Sequence, residues 1–317
     1  MSDALIGSKP PAWFADVVRC PRCRNRLESG WRCAAGGCGL GQFNVAPNGA
    51  PILIDFPGSA IDEQAVTRTA APGVRRAGLL RRCLKPLAGL TNGSGGVTAM
   101  ARAGGLLAAV PSPRVLMVGG GERWEGLDRF LALVPTAEIV NSDVYPGPFV
   151  HVLTDAHQLA FADESFDMVI VQAVLEHLIE PYVAAGEFWR VLKKDGLVLA
   201  DTPFLQAVHM GAYDFTRYTP LGQRALFKRF VEIEVGISAG PMSALRWSIE
   251  HAAKSLFRSK LAAWLLRPFT LPLGWIEQFS PANRYALDAC SGSYFIGRKS
   301  DRTATPREII AAYKGAQ

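Results

Sequence analysis

The chain has 317 residues, of which 49% are apolar and 20% charged, with 31 glycines and 21 prolines. That length is ample for one large domain with a satellite and for a sizeable core. The formal charge of +6 is uneven: residues 1–112 carry +7, 113–240 carry −7 and 241–317 carry +6. Basic flanks around an acidic middle favour an anionic partner, such as a phosphate-bearing substrate, a membrane surface or RNA, although they serve solubility equally well. The longest apolar stretch, Leu261 to Ile276, is broken by Arg267, Pro268 and Pro272, so a clean membrane span is not expected.

Met1 to Ala15 holds Lys9-Pro10-Pro11 and no apolar run. A secretory signal is therefore not expected, and the expected compartment is the cytoplasm, with contact at the membrane periphery a further option. Four of the six cysteines then cluster as Cys20, Cys23, Cys33 and Cys38. This spacing predicts two short knuckles at the ends of a hairpin, with four thiolates converging as tetrahedral zinc requires. A segment this short needs such a staple. Two disulfides are the alternative, and they suit an oxidising compartment that nothing in the sequence indicates. A closed site of this kind is structural rather than catalytic. Arg19, Arg22, Arg24, Arg26 and Arg32 surround it and would offset its charge.

Ala60 to Pro113 reads as a connector containing a basic amphipathic piece, Arg75 to Lys85, and a flexible break, Thr91 to Gly96. The expected organisation is a ribbon over residues 1–58, a linker with helical pieces over 59–112, and the main domain over 113–317.

From Val115 to Val171 the text runs apolar strand, glycine turn, helix, strand and acidic residue: V-L-M-V-G-G-G, then A-E-I-V-N-S-D ending at Asp143. A glycine turn leaving a buried strand lets a ligand approach the backbone, and an acidic residue about twenty positions on can accept the hydroxyls of a ribose. The next segment, T-D-A-H-Q-L-A-F-A-D-E-S-F-D-M-V-I-V (Thr154 to Val171), is followed by V-L-E-H-L-I-E-P (Val174 to Pro181) and V-L-K-K-D-G-L-V-L-A (Val191 to Ala200).

In this order the segments resemble the class I S-adenosylmethionine-dependent methyltransferases, over roughly Arg114 to Ile237 plus a closing strand near Ser293 to Lys299. The resemblance implies an α/β fold, a Rossmann-like seven-stranded doubly wound sheet, here with a small amino-terminal zinc ribbon and a helical insertion at about 239–288 before the last strand. It implies that Gly119 and Gly121 bring the backbone to S-adenosylmethionine, Asp143 takes the ribose, Asp155 and Ala156 border the adenine, and Gln172 lies near the sulfonium. Met117 stands where the family often has an acid, and Arg123 where it has a third glycine. The amino-terminal text V-V-R-C-P-R-C-R-N-R-L, W-R-C and G-A-P-I-L-I-D resembles the zinc ribbons that accompany or are fused to methyltransferases.

The run D-T-P-F-L-Q-A-V-H-M-G-A-Y-D-F-T-R-Y-T-P (Asp201 to Pro220) carries more polar and aromatic function than a connector needs. It resembles a subgroup of bacterial methyltransferases associated with cell-surface saccharides or their lipid-linked precursors. Its Asp214 and Arg217 could also simply pair to order a lid. Strands are expected at Phe230 to Ile237 and Ser293 to Gly297, with a helix from Ser243 to Leu266 between them. On that helix Arg246, Glu250, Lys254 and Arg258 repeat every four positions. Such a basic amphipathic helix suits an anionic membrane surface, an active-site cap or a dimer interface.

Methyl transfer from a sulfonium mainly needs an aligned acceptor, and a hydroxyl acceptor also needs a base. His209 is the first candidate base, with His177 and Asp214 as alternatives. The expected activity is O-methylation of a small-molecule, saccharide or lipid-linked glycan acceptor. Two other readings stay open: an RNA- or protein-directed methyltransferase, and a non-catalytic partner protein that keeps the fold. Nucleic acid fits less well, because the basic flanks lack aromatic interleaving.

Overall fold

The computed structural model describes residues 9–67, 95–121, 123–279 and 282–317. The basic piece Arg75 to Lys85 lies outside the described residues.

The strands are β1 (Leu27–Glu28), β2 (Arg32–Cys33), β3 (Ile52–Leu53), β4 (Arg114–Val118), β5 (Glu138–Asp143), β6 (Val152–Thr154), β7 (Phe166–Gln172), β8 (Leu192–Pro203), β9 (Phe230–Ala239) and β10 (Gly292–Lys299). β1 and β2 form the hairpin between the two cysteine knuckles. The other strands make one sheet of eight, in the order β3-β6-β5-β4-β7-β8-β10-β9. β3 through β8 pair in parallel, and β10 runs antiparallel to both β8 and β9. The chain leaves β4 toward β5 and β6 on one side, and returns through β7 and β8 on the other. Strand order therefore reverses between β4 and β7, and in open α/β sheets that crevice is where ligands bind.

The central strands have continuous apolar text because both faces are covered. Val115, Leu116, Val169, Ile170, Val171, Val198 and Leu199 are all fully buried. One face holds Phe161, Phe166, Phe188, Phe227 and Phe295; the other packs Met100, Leu127 and Phe130 from the flanking helices. Helix Gly95–Leu107, in the segment expected as a linker with helical pieces, buries Ala99, Met100, Ala103 and Leu107 against that second face.

Seven strands were expected, and the eighth is β3. It comes from the amino-terminal module and extends the sheet beyond β6, with Ile52 opposite Leu153 and Leu53 opposite Thr154. The module is fastened further by Arg19 N–H to Ala160 O (2.9 Å) and Ala162 N–H to Val17 O (2.8 Å). Phe14 packs edge-on against Phe161, whose ring meets Phe166 at 5.1 Å. Burying one phenylalanine there contributes about 2 kcal/mol, so the module shares the main core.

The expected helix from Ser243 to Leu266 is two helices, Pro241–Leu256 and Lys260–Phe279. The break falls at Arg258, whose φ of 47° is left-handed. Glu277 of the second helix closes the start of the first, accepting from Gly240 N–H (3.0 Å), Ser243 N–H (2.8 Å) and Ser243 Oγ (2.8 Å). A carboxylate there satisfies orphan amides and complements the helix dipole. The hairpin is thereby fixed over the carboxyl ends of the strands. Among the described residues, no helix is long and apolar enough to cross a membrane.

Candidate active site

A cleft of about 1340 Å³ opens at the β4–β7 crevice, lined by the ends of β4, β5, β7 and β8 and by the helical insertion. Its floor is the turn after β4. Gly119 has φ 74°, and a Cβ there would stand 2.3 Å from Val174 Cγ2. Only glycine fits this turn. A Cβ on Gly121 would stand 2.9 Å from Asp143 Oδ2, so the glycine lets the backbone reach that carboxylate. Asp143 accepts from Val144 N–H (2.7 Å) and Tyr145 N–H (3.1 Å). Burial pushes its carboxyl above the ordinary value, against the amides of Tyr145, Val144 and Gly121, which favour its charge.

Gly119, Gly121, Asp143 and Gln172 all line the cleft, as do Met117 and Arg123. Arg123 is ion-paired with Asp128 at 2.6 Å. Asp155 and Ala156 are placed elsewhere and do not line it. Burial pushes the Asp155 carboxyl up, but hydrogen bonds from His157 and Ser59 hold it below the usual range. That carboxylate ties the amino-terminal module to β6, and Tyr145 to Phe149 form the cleft wall beyond Asp143.

At the other end Gln172 Nε2 donates to Asp201 Oδ2 at 3.3 Å, and desolvation pushes the Asp201 carboxyl up to about 6. The backbone then turns through Ala173, whose φ of 50° is rare for a residue with a side chain. That turn aims Leu175–His177 back at the cleft.

Glu176 is only 1% exposed, and neither carboxylate oxygen has a hydrogen-bond partner among the described residues. Desolvation pushes its carboxyl up to about 7. Its Oε1 lies 3.7 Å from His177 Nε2 and 3.8 Å from His209 Nε2. His177 is anchored by Nδ1 to the Tyr213 carbonyl at 2.7 Å, and burial lowers its pKa. His209 Nδ1 lies 3.4 Å from Asp214 Oδ2. The loop thus brings His177 and His209 together, their ring centroids 5.1 Å apart.

Asp214 is ion-paired with Arg217, whose guanidinium holds the carboxyl well below the usual range. A carboxylate so stabilised is a poor proton acceptor. Asp214 is engaged by Arg217 and by the His209 N–H (2.7 Å), an arrangement that favours an ordering role in the loop.

Glu176 and Asp201 were not singled out from sequence. The signal for Glu176 was present in the Glu-His pair, but only burial distinguishes an orphaned carboxylate from a surface one. The helical insertion adds further lining. Arg246, Trp247, Glu250, His251 and Lys254 turn into the cleft, joined by Arg267 from the second helix. Trp247 stacks on His251 at 5.2 Å and lies 6.4 Å from the His209 ring. The periodic charged face is a cap over the site.

The four cysteines converge at a second centre. One ligand atom from each lies within 4.8 Å of all the others, with Cys20 and Cys38 sulfurs 3.5 Å apart and Cys23 and Cys33 sulfurs 3.4 Å apart. None is disulfide-bonded. Of the surrounding arginines, Arg22 pairs with Asp55 at 2.6 Å and Arg24 with Glu187 at 3.0 Å. The first pair holds the knuckle to the segment after β3 within the module, the second clamps it to the main domain, and Arg32 pairs with Glu28 within the hairpin.

Residues 118–200 match the family described as methyltransferase domain. No curated protein matches the chain. Among solved structures, the chain is similar to a chain of the Haloferax volcanii complex of the Trm112 methyltransferase activator with a methyltransferase, at 16% identity and TM-score 0.40, covering 71% of this chain and 97% of that one. It is similar to Haemonchus contortus phosphoethanolamine N-methyltransferase 2 at 17% identity and TM-score 0.40, covering 70% of this chain and 59% of that one. The [4+2]-cyclase SpnF is similar at 16% identity and TM-score 0.35, covering 63% of this chain and 80% of that one. The domain match, with this sheet order and glycine turn, supports a class I S-adenosylmethionine-dependent methyltransferase over the central segment.

Proposed function

We propose that the protein is an S-adenosylmethionine-dependent methyltransferase acting on a hydroxyl of an anionic, lipid-linked saccharide. The observation that carries this reading is the cleft itself. The Gly119 turn and Asp143 lie at one end, where a nucleoside would sit, and Gln172 marks the passage to the sulfonium. The Glu176–His177–His209 cluster stands beyond it, with the capping hairpin above.

Orientation supplies most of the rate in such a displacement. Acceptor oxygen, methyl carbon and departing sulfur must fall in line between Gln172 and the histidines. The oxygen–carbon bond forms as the carbon–sulfur bond breaks, leaving S-adenosylhomocysteine, and the cluster handles the hydroxyl proton. Trp247 offers a face for a sugar ring. Arg246, Lys254 and Arg267 offer charge for a phosphate.

The outer side of the capping hairpin supports the lipid-linked form. Leu261, Trp264, Leu265, Phe269, Trp275, Ile276 and Phe279 are all more than half exposed, on a helix bearing few charges. An apolar face of this extent suits a membrane interface. The cysteine centre fits structural zinc: four sulfurs within 4.8 Å of one another and no disulfide among them. Its role is to hold β3 on the sheet.

The test is transfer of an isotopically labelled methyl group from S-adenosylmethionine into extracted lipid-linked saccharides, with total RNA alongside. Label in the saccharide fraction supports the reading, and label confined to RNA or absent from both overturns it.

A further inference from the structure

The geometry points to a second metal site, distinct from the cysteine centre: a divalent transition ion held by Glu176, His177 and His209. One ligand atom from each lies within 4.8 Å of the other two. Imidazole nitrogens and a carboxylate oxygen bind such an ion at about 2.0–2.2 Å, so ligands sharing it stand roughly 3–4 Å apart. The two Nε2 atoms lie 3.7 and 3.8 Å from Glu176 Oε1.

Three further observations fit a metal site. Glu176 is 1% exposed with both oxygens unpartnered among the described residues, and a buried carboxylate without a donor or cation is costly. Each histidine is braced through the nitrogen that points away from Glu176. His177 Nδ1 is 2.7 Å from the Tyr213 carbonyl, which fixes the proton on that nitrogen and leaves the Nε2 lone pair facing Glu176. His209 Nδ1 lies 3.4 Å from both Asp214 Oδ2 and Arg217 Nη2, and Asp214 also accepts from the His209 backbone N–H at 2.7 Å, so the Asp214–Arg217 pair fixes the position of this ring. His177 thus has the carbonyl partner that metal-binding imidazoles take on their other nitrogen. Finally, Glu176 and His209 line the cleft, so positions around the ion would open toward the acceptor. Two imidazoles with one carboxylate select a transition ion over magnesium or calcium.

The role of this ion rests on the methyltransferase reading, while its binding does not. Bound there, the ion would lower the pKa of an acceptor hydroxyl at the cluster, so that its proton could pass to bulk water as the oxygen–carbon bond forms. The carbon–sulfur bond breaks, and S-adenosylhomocysteine leaves as the neutral thioether. His177 and His209 then act as ligands, and Asp214 as a positioning residue.

The experiment titrates Co2+ into tag-free protein whose cysteine centre is filled with zinc. S-adenosylhomocysteine binding is measured in parallel on every variant. Expected is a visible ligand-field spectrum without thiolate charge transfer, lost in Glu176→Gln and His209→Ala while S-adenosylhomocysteine still binds. Asp214→Asn should weaken Co2+ about tenfold or more through the loosened His209. No ligand-field absorption, thiolate absorption only, or a spectrum indifferent to these substitutions overturns the inference. Co2+ binding without S-adenosylhomocysteine binding would keep the metal site and remove the methyltransferase reading instead.

Discussion

The turn after β4 permits a sharp test through Gly119→Ala. Two costs meet at this position. Alanine at φ 74° costs about 1–2 kcal/mol. Its Cβ would also stand 2.3 Å from Val174 Cγ2, and overpacking of that kind costs about 1–3 kcal/mol more. The expected loss is thus about 2–5 kcal/mol in urea unfolding. Because Gly119 lies on the cleft floor at the donor end, shifting its turn also weakens S-adenosylhomocysteine binding. Removing the Val174 methyls leaves only its Cβ, at 3.8 Å. Val174→Ala added to Gly119→Ala should therefore recover about 1–3 kcal/mol, leaving the backbone term, and a double-mutant cycle should show that coupling. Additive losses would mean that the two residues do not touch and would refute the reasoning.

Phe161→Ala, at the seam between the amino-terminal module and the sheet, should cost about 3–5 kcal/mol in denaturant unfolding and lower zinc retention under chelator, measured by metal analysis. Asp201 has a folded value of about 6 against an ordinary 3.8, so the folded state holds its proton more tightly and stability falls as pH rises from about 4 to about 6. Asp201→Asn should remove that slope. The full shift corresponds to about 3 kcal/mol, but the side chain borders an open cleft, so a gain of about 2 kcal/mol at pH 7 that vanishes near pH 4 is expected from thermal melts across pH. Trp264→Ser with Phe269→Ser should lower sedimentation with anionic vesicles about tenfold or more, given the apolar area lost, and leave S-adenosylhomocysteine binding unchanged.

Much of the main sheet was legible because parallel strands buried on both faces write continuous apolar text, as in Val115 to Val118 and Met168 to Val171. The glycine turn and Asp143 were legible because their backbone constraints leave a residue signature. β3 was not, since a strand of two residues acquires its meaning only from its partner β6. The helix break at Arg258 was hidden because an arginine gives no sign of a left-handed φ. Pro268 and Pro272, read as interruptions, stand inside a continuous helix. Both are exposed, and the carbonyls they leave without donors, those of Trp264 and Pro268, belong to residues that also face out. Asp155 follows the family pattern in sequence, yet Ser59, brought by the amino-terminal module, takes its carboxylate. The Glu176 cluster depends on a loop folding His209 back over Glu176, more than thirty residues earlier in the chain, which no local pattern encodes.

The central claim is that the Gly119–Asp143 end of the cleft holds the methyl donor. Its most direct test is calorimetric titration of zinc-loaded protein with S-adenosylmethionine and S-adenosylhomocysteine, with Asp143→Ala alongside. Saturable binding of both in the wild type, abolished in a folded Asp143→Ala, is the predicted result. No binding to well-folded wild-type protein, or binding indifferent to Asp143, would contradict the account.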